Sequence, residues 1–140
     1  MTELASWQRL QPFADEVIPR AFDPGLGSLT LKDQTLFLVW SLTAELDNGG
    51  FAQFFFNSGG EHAVTTVAAL RRIGAESVAA LLHEAIHLFP GGVGPADLDE
   101  RNEAISAFPH PVDERFEALD EQFQEIGSDA VMDQLAQYYL

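Results

Sequence analysis

Apolar positions in this chain recur every three or four residues, the interval of a helix with one buried face, and no stretch keeps the strict alternation of a half-buried strand. Leu4, Trp7, Leu10, Phe13, Val17 and Ile18 predict a first helix over residues 3–21, which Pro12 kinks or divides. Turn residues make 23–28 a loop. A second helix is expected over residues 30–47. Its middle, from Leu36 to Leu42, is apolar on nearly every face, as in a helix packed on several sides. A buried strand is the alternative for so short a run, but the polar residues flanking it favour a helix. This is the expected central helix.

Residues 62–73 form another helical stretch, with Arg71 and Arg72 at the end where the helix dipole favours cations, and Gly74 stops it. Residues 75–89 give the cleanest amphipathic pattern, with Val78, Leu81, Leu82, Ala85, Ile86 and Phe89 in one stripe. A further helix is predicted to open at Pro95, with proline in its first turn, and to run to Phe108. Pro109 and Pro111 then force a break. Val112, Phe116, Leu119, Phe123 and Ile126 form a narrow seam along the next helix, Gly127 ends it, and Ser128 is the expected cap of a last helix through Tyr139. Seven or eight helices joined by short Gly/Pro turns make an all-α protein. Its 140 residues suit a single domain with one core.

Two Gly-Gly pairs bracket an aromatic corner at residues 45–60. Asn48 and Gly49 suit the left-handed conformation that ends a helix. After Gly50, Phe51, Phe54 and Phe55 fall on one helical face, and the amides of Gln53 and Asn57, four apart, can point the same way. Glu45 or the backbone ends freed by the glycines could partner those amides. Either the polar groups cap chain ends, or they border a ligand pocket. The run Glu45, Asn48, Gly49, Gly50, Phe51, Gln53, Phe54, Phe55, Asn57 and Ser58 resembles the signature of the domain-of-unknown-function 4375 family. A looser similarity continues through Ile73-Gly74-Ala75, Phe89-Pro90, Pro95, Asp97 and Arg101. The resemblance implies a small, acidic, all-helical protein of a mostly bacterial family that takes in a DNA mimic, a protein whose acidic surface occupies the DNA-binding face of a regulator.

Charge sharpens that expectation. Twenty-two acids against seven Lys and Arg give a net −15, a field that repels nucleic acid and anionic lipid and attracts basic partners. Direct nucleic-acid binding is therefore not expected. The absence of cysteine excludes disulfides and thiolate metal sites. With no basic leader and no membrane-length apolar run, a cytoplasmic location is expected.

Two stretches could carry chemistry or recognition. His83-Glu84-Ala85-Ile86-His87 spells H-E-x-x-H on a helix, the zinc-peptidase arrangement of two ligands one turn apart and a water-activating carboxylate. Helical geometry places His83 and His87 roughly 120–170° from the apolar stripe, facing solvent, and nothing selects a third ligand. His62 and His110 are distant in sequence. The other stretch is the acidic run from Asp97 to Asp133, twelve acids against Arg101 and Arg115, a net −10. On its second helix Glu114, Glu117, Glu121 and Glu125 share the face opposite the seam. Like charges one turn apart cost a helix about 0.2–0.5 kcal/mol per pair, so this stripe does not serve helix stability.

The leading expectation is a non-enzymatic acidic protein, without cofactor, that binds a basic partner such as a DNA-binding regulator. Asp97, Asp99, Glu100, Glu103, Asp113, Glu114, Glu117, Asp120, Glu121 and Glu125 are the expected contacts. The alternatives are a zinc hydrolase using His83, Glu84 and His87, and a ligand-binding module with a pocket beside Phe51, Gln53 and Asn57. A homodimer is a further expectation, with the aromatic C-terminus as one candidate surface.

Overall fold

The computed structural model describes residues 3–92 and 94–140 and, at positions 58 and 59, the backbone alone, so the Ser58 side chain of the signature lies outside the described residues. These residues form seven α-helices and no strand: α1 (Ser6–Arg20), α2 (Leu31–Phe56), α3 (Ala63–Arg72), α4 (Glu76–His87), α5 (Leu98–Ser106), α6 (His110–Ile126) and α7 (Ser128–Tyr139). None is long and apolar enough to cross a membrane. The central helix is α2, which touches α1, α3, α5, α6 and α7 and buries Leu36, Phe37, Leu38, Val39, Leu42 and Leu46.

Several boundaries differ from the sequence expectation, each for a local reason. Pro12 neither divides nor ends α1. It and Gln8, whose carbonyl loses its helical donor, are both exposed, so water can take the missing bond. Helix α5 starts three residues after Pro95, because the Asp97 carboxylate accepts from the Glu100 N–H at 3.0 Å and fixes the N-cap there. Pro111 lies inside the first turn of α6, where its missing N–H costs nothing. Gly127, at φ +81°, takes the N-cap position of α7, and Ser128 is already helical.

The corner is also shifted by one residue. Asn48 and Gly49 remain helical, and Gly50 carries the break, at φ +83° and ψ −170°. A Cβ at Gly50 would stand 2.4 Å from Asp120 Oδ2, because the Asp120 carboxylate reaches in from α6 and accepts from the Phe51 N–H at 2.8 Å. Asp120 thus caps the short helical stretch of residues 51–56 from another helix. Its pKa lies above the ordinary carboxylate value, chiefly because of burial; the Phe51 bond opposes the shift and neighbouring Glu117 adds to it.

Beyond the break, Phe51, Phe54 and Phe55 are all buried. Phe55 meets Phe89 edge to face at 4.9 Å and Phe116 at 6.2 Å, while Phe108 stacks on Phe116 at 5.3 Å. One aromatic cluster therefore joins the corner to the end of α4, to α6 and to the link between α5 and α6.

Arg101, on α5, is fully buried. Its Nε donates to Phe55 O at 2.7 Å, Nη1 to Pro95 O and Ala96 O, both at 3.1 Å, and Nη2 to Asn57 O at 3.0 Å. Phe55 and Asn57 lie at the end of the corner helix, where carbonyls lack helical donors and the dipole favours a cation. Desolvation lowers the Arg101 pKa, and the charges of Glu61 and Asp97 oppose that shift. Gly60 leaves room for the guanidinium: a Cβ there would lie 2.9 Å from Nε and 3.0 Å from the Phe55 Cα.

Two stability measurements test these contacts. Arg101→Met fills similar volume but removes four hydrogen bonds, leaving Asn57 O with only the Gly60 N–H as donor, and urea unfolding is expected to show a loss of ~3–5 kcal/mol, whereas a loss below ~1 kcal/mol would contradict the bonding described. Gly50→Ala is expected to cost ~1–3 kcal/mol from the positive φ alone, and more from the Asp120 overlap. Combined with Asp120→Ala, the overlap disappears, so the double variant should lose less than the sum of the two single losses. Strict additivity would mean that the two residues do not meet.

Candidate partner-binding face

On α6 the seam residues Phe116, Leu119 and Phe123 are buried, which turns Asp113, Glu114, Glu117, Glu121 and Glu125 to solvent. The glutamates are spaced by three, four and four residues and so follow one side of the helix. On α5 and its N-cap, Asp97, Asp99, Glu100 and Glu103 are exposed, and Asp99, Glu100 and Glu103 line one surface groove with Asn102. Asp99 and Glu100 occupy the first turn of α5, and Asp113 that of α6, where the dipole favours anions.

The two arginines of this half do not dilute its charge as free surface cations. Arg101 points into the core. Arg115 forms a two-pronged bridge to Glu84 of α4, with Nη2 to Oε1 at 2.8 Å and Nε to Oε2. His110 lies 2.8 Å from Glu114, and both side chains are exposed. Of the ten acids expected to meet a partner, nine are exposed; Asp120 is half-buried in the Gly50 corner and its carboxylate is used there.

The corner amides find Glu45 rather than chain ends. Gln53 Nε2 and Asn57 Nδ2 both donate to Glu45 Oε2, at 3.0 and 2.8 Å. Gly49 is where Gln53 folds back, since a Cβ there would stand 2.0 Å from Gln53 Oε1. Glu45 and Asn57 also border a cavity of about 280 Å³ with Phe22, Phe37, Ser41, Glu61 and His62. Phe51 takes no part in it. The aromatic walls are Phe22, from the turn after α1, and Phe37, which shares a face of α2 with Ser41 and Glu45 at intervals of four.

The H-E-x-x-H residues are differently engaged. His83 and His87 are exposed, with ring centroids 4.3 Å apart, and His87 Nδ1 contacts His83 O at 2.8 Å. Glu84, the would-be water activator, is tied to Arg115, whose hydrogen bond holds its carboxyl below the ordinary range. Among the described residues no group of three His, Asp, Glu or Cys is placed to hold a metal ion. Zinc hydrolysis uses a carboxylate free to activate water, and Glu84 is occupied by Arg115.

The aromatic C-terminus is largely used within the chain. Tyr139 packs edge to face on Phe13 at 5.3 Å, lies 4.7 Å below the Lys32 ammonium, and donates to Asp33 Oδ1 at 2.6 Å. Burial, followed by that bond, pushes its phenol up to about 12. Sequence reasoning did not single out this contact or the role of Arg101. For Arg101 a signal existed: Leu98, Arg101 and Ile105 fall at i, i+3 and i+7, which puts the arginine in the inward stripe of α5.

No curated protein and no solved structure matches the chain. A family model described as DMP19-like protein matches residues 27–140, the span that holds α2 to α7, and with them the Gly50 corner, Arg101 and both acidic helices. The chain belongs to the DMP19-like protein family.

Proposed function

We propose that this protein is a non-enzymatic DNA mimic that occupies the DNA-binding face of a basic partner, such as a transcription regulator, with the acidic sides of α5 and α6. The observation that carries this is the stripe of Glu114, Glu117, Glu121 and Glu125, met by His110 at Glu114, in a half of the chain whose arginines are buried or already paired. Membership of the DMP19-like family suggests the same function. Carboxylates one helical turn apart stand about 5–6 Å from each other, comparable to phosphate spacing along one strand. At one charge per ~1.7 Å of duplex axis, nine exposed acids correspond to about 15 Å of DNA, the reach of a small DNA-binding domain. A chain of net −15 also steers a cationic partner at long range and discourages nucleic acid itself.

Charge reversal tests this without touching the core. Glu117→Lys with Glu121→Lys changes two exposed residues of α6, relieves repulsion toward Asp113 and Glu125, and removes the negative charge beside Asp120. The melting temperature is expected to hold or rise. Affinity for a basic DNA-binding protein captured at low salt should fall about tenfold or more, mainly through slower association, and the salt dependence of binding should become shallower. Unchanged capture by the doubly reversed protein, persisting at moderate salt, would point to an ordinary apolar interface.

A further inference from the structure

The chain's two tryptophans meet in one place. Trp7, from the first turn of α1, and Trp40, from α2, line a cavity of about 270 Å³ with Thr43, Asp47, Asp129 and Met132. Trp40, Thr43 and Asp47 fall at i, i+3 and i+7 of α2, and Asp129 and Met132 at i and i+3 of α7, so two helical faces converge on the cavity. Trp7 closes the third side and remains 42% exposed, a large ring that the core does not use. The Thr43 hydroxyl already donates to backbone carbonyls of α2, at 2.9 Å to Trp40 O. No lining residue is cationic, and neither Asp47 nor Asp129 forms an ion pair among the described residues.

Each wall has a chemical preference. An indole face attracts a cation through its ring quadrupole. Indole rings and the Met132 thioether also accept an aliphatic stem. The two carboxylates supply complementary charge. The volume falls just below the ~300–1,000 Å³ typical of sites for drug-sized ligands, which suits a single small group rather than a nucleotide. We propose that this cavity binds an alkyl cation, an ammonium or guanidinium on an aliphatic stem, with the stem against Trp7, Trp40 and Met132 and the charge held by Asp47 and Asp129. The site is independent of the acidic face of α5 and α6. Trp7 even precedes the family-matched span, so either assignment can fail alone.

Because both tryptophans line the cavity, intrinsic fluorescence reports binding without a label. Titration with n-butylguanidinium or n-butylammonium is expected to change the emission saturably, while n-butanol, which has the same stem and no charge, produces no saturable change. Asp47→Asn with Asp129→Asn should weaken cation binding about tenfold or more at an unchanged melting temperature. Trp7→Leu, at an exposed position, should also weaken it, with Trp40 remaining as reporter. Saturable binding of n-butanol equal to that of the cations, or unaltered cation affinity in the doubly amidated protein, would overturn the proposal. Two further arms separate the sources of such a cation. Tighter binding of a blocked glycine peptide carrying one arginine than of n-butylguanidinium supports the site and assigns it to a protein side chain. Tighter binding of cadaverine than of n-butylammonium supports it and assigns it to a free diamine.

Discussion

A guanidinium buried without an ion pair among the described residues sits where the chain changes direction. Arg101 gives its hydrogen bonds to four main-chain oxygens, two at the end of the corner helix and two in the approach to α5. A desolvated cation is expensive unless its donors are satisfied, and here the partial negative charge of a helix end and the adjacent loop satisfies them. Lysine could not replace it, because a single ammonium lacks the planar fork that reaches carbonyls on two segments at once. The contact also explains the glycine at position 60, since only a residue without Cβ there lets the guanidinium lie against Phe55.

From that point the placement of the acidic surface follows. Arg101 fixes the start of α5 to the corner, while Phe55 fixes the same corner to Phe116 of α6. Asp120 adds a polar tie in the opposite direction, from α6 to the Phe51 N–H. The two helices that, with the N-cap of α5, carry nine exposed carboxylates are therefore both tied to one short helical segment, and α6 also packs on α4. A rigid support matters for a surface of like charges, which would otherwise spread apart. An imitation of phosphates needs fixed spacing to favour a DNA-binding face over any basic protein.

Much of this was legible in the sequence, because it depends on local pattern. The apolar run from Leu36 to Leu42 marked the central helix, the stripe from Val78 to Phe89 marked α4, and the Gly-Gly corner stood out by composition. What depends on meetings between distant segments was not legible. Asp120 sits beside the seam, at i+4 from Phe116, but its partner, the Gly50 corner seventy residues earlier, is set by the fold alone. Glu84 reads as a catalytic base by its spacing to two histidines, and only the fold brings Arg115 to occupy it. The choice of Gly50 over Gly49 for the break likewise depends on that contact with α6, since either glycine satisfies the local rule.

The central claim is that these carboxylates stand where phosphates would. The direct measurement is fluorescence anisotropy of a labelled duplex bound to a DNA-binding regulator recovered as the proposed partner, titrated with the unlabelled protein. Competition for one face predicts that the anisotropy falls to the value of free duplex, and that the apparent affinity weakens in proportion to the duplex affinity as the duplex sequence is varied. A rise in anisotropy, signalling a ternary complex of regulator, duplex and acidic protein, would contradict the account.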